Sequence, residues 1–116
     1  MKIKLRRAYQ DPETDDGVRV LVDRLWPRGL SKERLGIDLW ARELAPSREL
    51  RRWYGHDPGK WEEFKRRYFK ELDTKSGEVR RVIEYLGGRT ATFVYASREE
   101  DKNNAVALKE YFESGM

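Results

Sequence analysis

Three short stretches of this chain carry side chains whose types and spacing could do chemistry. The first is Asp23-Arg24-Leu25-Trp26-Pro27-Arg28-Gly29, where charged and aromatic groups follow a run of valines. Arg28 could grip a phosphate or carboxylate with its two-pronged guanidinium, and Arg24 could do the same. Gly29 and the amides leading to Ser31 could add backbone donors for the same anion. Trp26 would wall the site, and Asp23 would orient an arginine or act as a base. The plainer alternative is structural: Asp23 pairs with a neighbouring arginine, Trp26 fills the core, and Pro27-Arg28-Gly29 turns the chain.

The second stretch is Tyr95-Ala96-Ser97-Arg98, with Asn103-Asn104 shortly after it. Tyr95 would form a second wall, Ser97 could contact a ligand, and the asparagines supply neutral donors and acceptors near the positive end of a helix. Against this, one asparagine would cap the helix while the other is solvated, and Ser97 with Glu100 has the spacing of a capping box. The third stretch holds His56, the only histidine. It is the one side chain with an ordinary pKa near neutrality, so it could shuttle protons, or it could simply flank a helix cap supplied by Asp57. Catalytic candidates are therefore Asp23 and His56. Binding candidates are Arg24, Trp26, Arg28, Tyr95, Ser97, Asn103 and Asn104.

The sequence also narrows the chemistry. With no cysteine there is no disulfide framework, no thiolate nucleophile and no cysteine zinc site. A single histidine leaves zinc dependent on carboxylates at no recognisable spacing, so no metal is expected. Ser97 lies in no Gly-x-Ser-x-Gly elbow, and neither a Walker loop nor a dinucleotide glycine fingerprint occurs. The cofactor is left open.

The elements that must position these groups follow from periodicity. Ile3 to Tyr9 begins with one-in-two alternation and reads as a strand, and Gln10 to Gly17 reads as a turn-rich loop through Asp11-Pro12 and Asp15-Asp16-Gly17. Val18 to Leu25 is apolar on both faces, which predicts a central strand ended by Trp26-Pro27. Ser31 can cap a helical turn, after which Ile37, Trp40, Ala41 and Leu44 fall at helical spacing before Pro46. Ser47 caps a short helix with Leu50, Trp53 and Tyr54 inward, ended by Gly55. Asp57-Pro58 starts a longer helix carrying Trp61, Phe64, Tyr68 and Leu72 at intervals of three and four. Another helix spans Glu78 to Leu86 and stops at Gly87-Gly88, Thr90 to Ala96 reads as a buried strand, and Asn103 to Glu113 closes as a helix.

Strands separated by helices predict an α/β fold: a small, mostly parallel sheet flanked by helices in a three-layer, sandwich-like single domain. The orientation of the first strand is left open, since its short loop suits an antiparallel neighbour more easily than a parallel crossover. At 116 residues the chain suits one domain, and the carboxyl ends of its parallel strands are where ligands gather in such sheets.

Charged residues make up 40% of the chain and the net charge is +4, which permits attraction to anions without demanding it. Fourteen bulky aromatics (Trp 4, Tyr 6, Phe 4) argue against disorder. No apolar run of about eighteen residues occurs, and Arg6 and Arg7 interrupt any leader-like start, so the expectation is a cytoplasmic protein without membrane contact. Two partner classes remain beside a small anion. A nucleic acid would need a basic face with exposed aromatics, and a protein partner would need an exposed apolar patch. Oligomeric state is left open.

In combination, Asp15-Asp16-Gly17, Leu21 to Gly29, Leu44-Ala45-Pro46-Ser47, Gly55-His56-Asp57-Pro58 and Tyr95-Ala96 to Asn103-Asn104-Ala105 resemble the YeaO-like branch of the family catalogued as domain of unknown function 488. The resemblance spans nearly the whole length and brings no assigned activity with it. Longer relatives resemble this chain around Asp23 and Pro27-Arg28, but often carry cysteine and His-Arg near the later strand. Here Tyr95-Ala96-Ser97 and Asn103-Asn104 stand instead, so no thiol-based mechanism carries over. The expected function is recognition of a phosphate- or carboxylate-bearing small molecule at the strand ends, with or without catalysis.

Overall fold

Alternation at Ile3 and Leu5 against Lys4 and Arg6 builds β1 (Ile3–Arg7) in the computed structural model, which describes residues 1–114. The valines build β2 (Val18–Leu21), and the β-branched and aromatic run builds β4 (Ala91–Tyr95). With β3 (Leu39–Trp40) these form a four-stranded sheet in the order β1-β4-β2-β3, parallel throughout. The orientation of the first strand, which the sequence left open, is parallel to β4. Segment 8–17 carries the chain from the carboxyl end of β1 back to the amino end of β2, and β4 later fills the slot between them. Gly17 makes that return possible: it adopts φ 66°, and a Cβ there would lie 2.1 Å from the Thr90 carbonyl oxygen.

Register separates the two faces. Ile3, Ala91 and Val18 align across the sheet, as do Leu5, Phe93 and Val20, and they turn their side chains to the main core. On the opposite face Lys4, Thr92 and Arg19 align. Four helices cover the apolar face: α2 (Arg48–Tyr54), α3 (Trp61–Asp73), α4 (Ser76–Leu86) and α5 (Asn104–Glu113). The other face is covered by the short α1 (Lys32–Leu35) and by a smaller cluster in which Leu21, Val94 and Leu35 meet Trp26, Ile37 and Trp40.

Three differences from the sequence expectation bear on the site, beside shifts of one or two residues at the ends of β1, α4 and β4. The β2 strand stops at Leu21, four residues early, because Asp23 leaves the ladder to bond elsewhere. Segment 37–44 is not helical but consists of β3 and a 3-10 turn at Arg42–Leu44. The open edge of β2 explains this, since Arg19 and Leu21 carbonyls accept the Asp38 and Ala41 amides at 2.8 and 2.9 Å and pull the segment straight. Asp57 caps a 3-10 turn (Pro58–Lys60) that leads into α3. Ser31, Ser47 and Asn103 cap α1, α2 and α5 through their side-chain oxygens. No helix is long and apolar enough to cross a membrane among the described residues.

Candidate functional site

Because β2 and β4 are parallel neighbours, their carboxyl ends emerge side by side, with Leu21 opposite Val94. Just beyond them, Asp23 binds the two tails together: its Oδ2 accepts the Ala96 amide at 2.9 Å. Asn104 at the start of α5 donates through Nδ2 to Asp23 Oδ1 at 3.0 Å and to the Val22 carbonyl at 3.2 Å. The Asp23 carbonyl in turn accepts the Trp40 indole at 2.8 Å. Burial pushes the Asp23 carboxyl above the ordinary range, and the Asn104 and Ala96 donors with the nearby Arg51 charge only partly offset it.

A cleft of about 510 Å³ opens over this junction. Asp23, Arg24, Ala96, Ser97, Asn103 and Asn104 line its strand side. Arg48, Arg51 and Arg52 line it from α2, with His56 beyond that helix and Lys102 before α5. Pro46, Tyr54 and Phe64 give one apolar stretch of wall. Positions 48, 51 and 52 share one helix face by the three- and four-residue rule, and the buried Leu50 and Tyr54 fix which face points in. The Tyr54 hydroxyl donates to the Lys102 carbonyl at 2.8 Å and so joins α2 to the approach to α5.

The cleft is cationic and unbalanced. Asp23 is its one carboxylate, against four arginines and Lys102. Among the described residues no carboxylate lies within ion-pair distance of Arg24, Arg48, Arg51 or Arg52, and none of those residues offers their guanidinium groups a hydrogen-bond acceptor. Outside the cleft Arg19 reaches Asp16 at 2.6 Å and Arg67 reaches Glu63 at 2.8 Å, while Arg28, Arg34, Arg80, Arg81 and Arg98 have no side-chain acceptor among the described residues either, so what marks the cleft is the gathering of four such groups at one concavity.

Of the residues expected from the sequence, the fold gathers Asp23, Arg24, His56, Ser97, Asn103 and Asn104 at one cleft. Arg28, Trp26 and Tyr95 are not among its lining residues. Arg28 is exposed, and its carbonyl accepts the Tyr9 hydroxyl at 3.0 Å. Trp26 packs edge-on against Trp40, with ring centroids 5.5 Å apart, and donates to the Leu30 carbonyl at 2.6 Å. Tyr95 is buried in the main core.

Several cleft residues also do structural work. Asn103 Oδ1 caps α5 by accepting the Val106 amide at 2.9 Å, and Ser97 Oγ accepts the Glu99 amide at 3.0 Å. His56 holds a left-handed backbone at φ 58°. The residues not singled out in the sequence are Arg48, Arg51, Arg52 and Lys102. The signal for the first three was present as arginines at helical spacing behind a capping serine, but nothing local told which element they would face. Away from the cleft, Glu13, Asp15 and Asp16 bring carboxylates within 4.8 Å of one another. Lys4, Arg6 and Arg19 already pair with them.

Residues 2–116 match the model of the inactive DUF488-N3 subclade. An uncharacterised protein of Mycobacterium tuberculosis is 38% identical over 107 residues, covering 92% of this chain and 90% of its own length. The uncharacterised Escherichia coli protein YeaO is 34% identical over 114 residues, covering 98% of this chain and 99% of its own. No solved structure matches.

Proposed function

The chain belongs to the inactive DUF488-N3 subclade, and from that premise we propose that it acts in the cytoplasm as a binding protein for a phosphate- or carboxylate-bearing small molecule, which it holds without turnover. The observation that carries this reading is the set of four cleft arginines without a protein partner. Guanidinium groups gathered around one cleft repel each other, and an anion in their midst relieves that cost while taking charge-assisted hydrogen bonds. The volume of about 510 Å³ suits a small organic ligand.

The absence of turnover is supported by the subclade's description and by what the cleft's reactive side chains already do. Both Asp23 oxygens accept hydrogen bonds that hold the strand ends and α5 together. The Ser97 hydroxyl closes a local turn. Asp23 therefore serves to shape the cleft, and His56 adds a further donor at its edge.

The aromatic side chains speak against the nucleic-acid alternative. On the long helix Trp61, Phe64 and Tyr68 are buried and Phe69 packs against Tyr111, and the exposed aromatics among the described residues are the isolated Tyr9 and Tyr85, so α3 offers no stacking platform. The test is titration of the full chain with inorganic phosphate and with malonate, following the backbone amides of Ala96, Ser97 and Asn104 by NMR. Binding should move these amides, and Arg51→Ala should weaken it by about 1.5–3 kcal/mol, the worth of one hydrogen bond to a charged group. If neither anion shifts those amides at low ionic strength, the reading is wrong.

A further inference from the structure

Asp23 narrows the ligand class further. A bare phosphate drawn in by the arginines would meet this carboxylate across the cleft. Arg51 and Asp23 line the same cleft, so an anion held by Arg51 shares that space with the Asp23 carboxylate. The two neighbours are compatible when a neutral hydrogen-bond donor on the ligand lies between them. Each Asp23 oxygen has one protein donor, Ala96 for Oδ2 and Asn104 for Oδ1, and a carboxylate can accept about twice that number. Because Asp23 lines the cleft, its spare acceptor capacity is open to a ligand.

The donor's chemistry follows from its surroundings. An ammonium group would satisfy Asp23 but would be repelled by the four arginines and Lys102. A hydroxyl carries no such penalty. The cleft also exceeds what an inorganic anion fills, and the wall of Pro46, Tyr54 and Phe64 suits a short carbon skeleton. Resting on the anion-binding reading, we infer that the ligand is the phosphomonoester of a polyol or sugar: its phosphate sits against the α2 arginines while one of its hydroxyls donates to Asp23.

Glycerol 3-phosphate and propyl phosphate separate this inference from the reading beneath it. They share the phosphate charge and a three-carbon skeleton, and only the first has hydroxyls. Calorimetric titration of the unaltered full chain should show glycerol 3-phosphate binding roughly tenfold or more tightly than propyl phosphate, the equivalent of one charge-assisted hydrogen bond. In Asp23→Asn the preference should shrink toward unity while inorganic phosphate binds more tightly, since a repelling charge has gone. Should that variant fail to fold, the comparison on the unaltered chain still decides. Equal binding of the two esters would overturn the polyol inference and leave anion binding standing. No binding of either ester or of inorganic phosphate would overturn both.

Discussion

Two regions of this protein set basic side chains around an aspartate, and they use them in opposite ways. Over the polar face of the sheet, Asp16 is 1% exposed and meets Arg19 at 2.6 Å, Arg6 at 3.1 Å and Lys4 at 3.5 Å. Arg19 spends its remaining donors on the Gly36 and Leu35 carbonyls at 3.1 and 2.8 Å. At the carboxyl end of the sheet, Asp23 instead receives the amides of Ala96 and Asn104, and the arginines around it are left without acceptors. The first cluster is closed and the second is open. What sets the open region apart is several unsaturated arginines sharing one concavity, and a net charge of +4 conceals that arrangement.

The largest effects should come from opening the closed cluster. Asp16→Ala leaves Arg19, itself 5% exposed, without its carboxylate, and should destabilise the fold by about 3–5 kcal/mol in urea unfolding. Gly17→Ala attacks the same return from the backbone side, where a methyl would lie 2.1 Å from the Thr90 oxygen, and should cost about 1–3 kcal/mol. Arg51→Ala in the open region should change stability by no more than about 0.5 kcal/mol while weakening anion binding. If Arg51→Ala unfolds the protein as readily as Asp16→Ala does, the contrast between the regions fails.

Dependence on pH sharpens the contrast, because the two aspartates are displaced in opposite directions. Burial raises Asp16, but the Glu13 amide, Arg19 and Arg6 together outweigh it and hold the carboxyl below the ordinary range. Its stabilisation is therefore present above the unfolded pKa and is lost as pH falls through the folded one. Burial raises Asp23 and its partners do not cancel the effect. Its contribution is complete below the unfolded carboxyl pKa and is lost as pH rises through the higher folded value. Urea unfolding across the acid range should show Asp16→Asn flattening the loss at low pH and Asp23→Asn flattening the decline on the rising side. The slopes carry the test, since Asp23→Asn turns an amide toward donors and lowers stability at every pH.

Local pattern made part of this visible in the sequence. The two apolar strands, the caps at Ser47 and Asn103 and the stop at Gly55 each depend on residues a few positions apart, and all are present where spacing puts them, although β2 ends at Leu21 instead of Leu25. What depends on distant partners was not legible. Helical spacing at Ile37, Trp40, Ala41 and Leu44 lost to the unpaired edge of β2, which lies far back in the chain. Parallel pairing of β1 depends on β4, which follows it by more than eighty residues in the register Ile3 to Ala91. The candidate cleft shows the same division. Asp23 and Asn104 were legible as strand-end and helix-start residues, whereas Arg48, Arg51 and Arg52 become cleft residues only through the packing of α2 against α3 and the tie from Tyr54 to Lys102. Trp26 and Arg28 are three and five residues from Asp23 in sequence, but the bend after Val22 leads them toward the smaller core and the surface.

The smallest expected effect is at His56, on the rim of the open region. Its φ of 58° follows Gly55 at 52°, so two successive residues are left-handed where the chain turns from α2 toward the Asp57 cap. Glycine bears that conformation freely, while a side-chain-bearing residue pays about 1–2 kcal/mol for it. Set against the greater unfolded-chain freedom of glycine, His56→Gly should leave stability unchanged or raise it by up to about 1 kcal/mol. A histidine kept in a strained conformation at no gain in stability is what a ligand contact at the cleft rim would require. Anion affinity, followed by the same amide titration, should then fall in His56→Gly. Loss of stability in this variant with affinity intact would place His56 with the closed cluster as a structural residue, and would confine the open region to the arginines and Asp23.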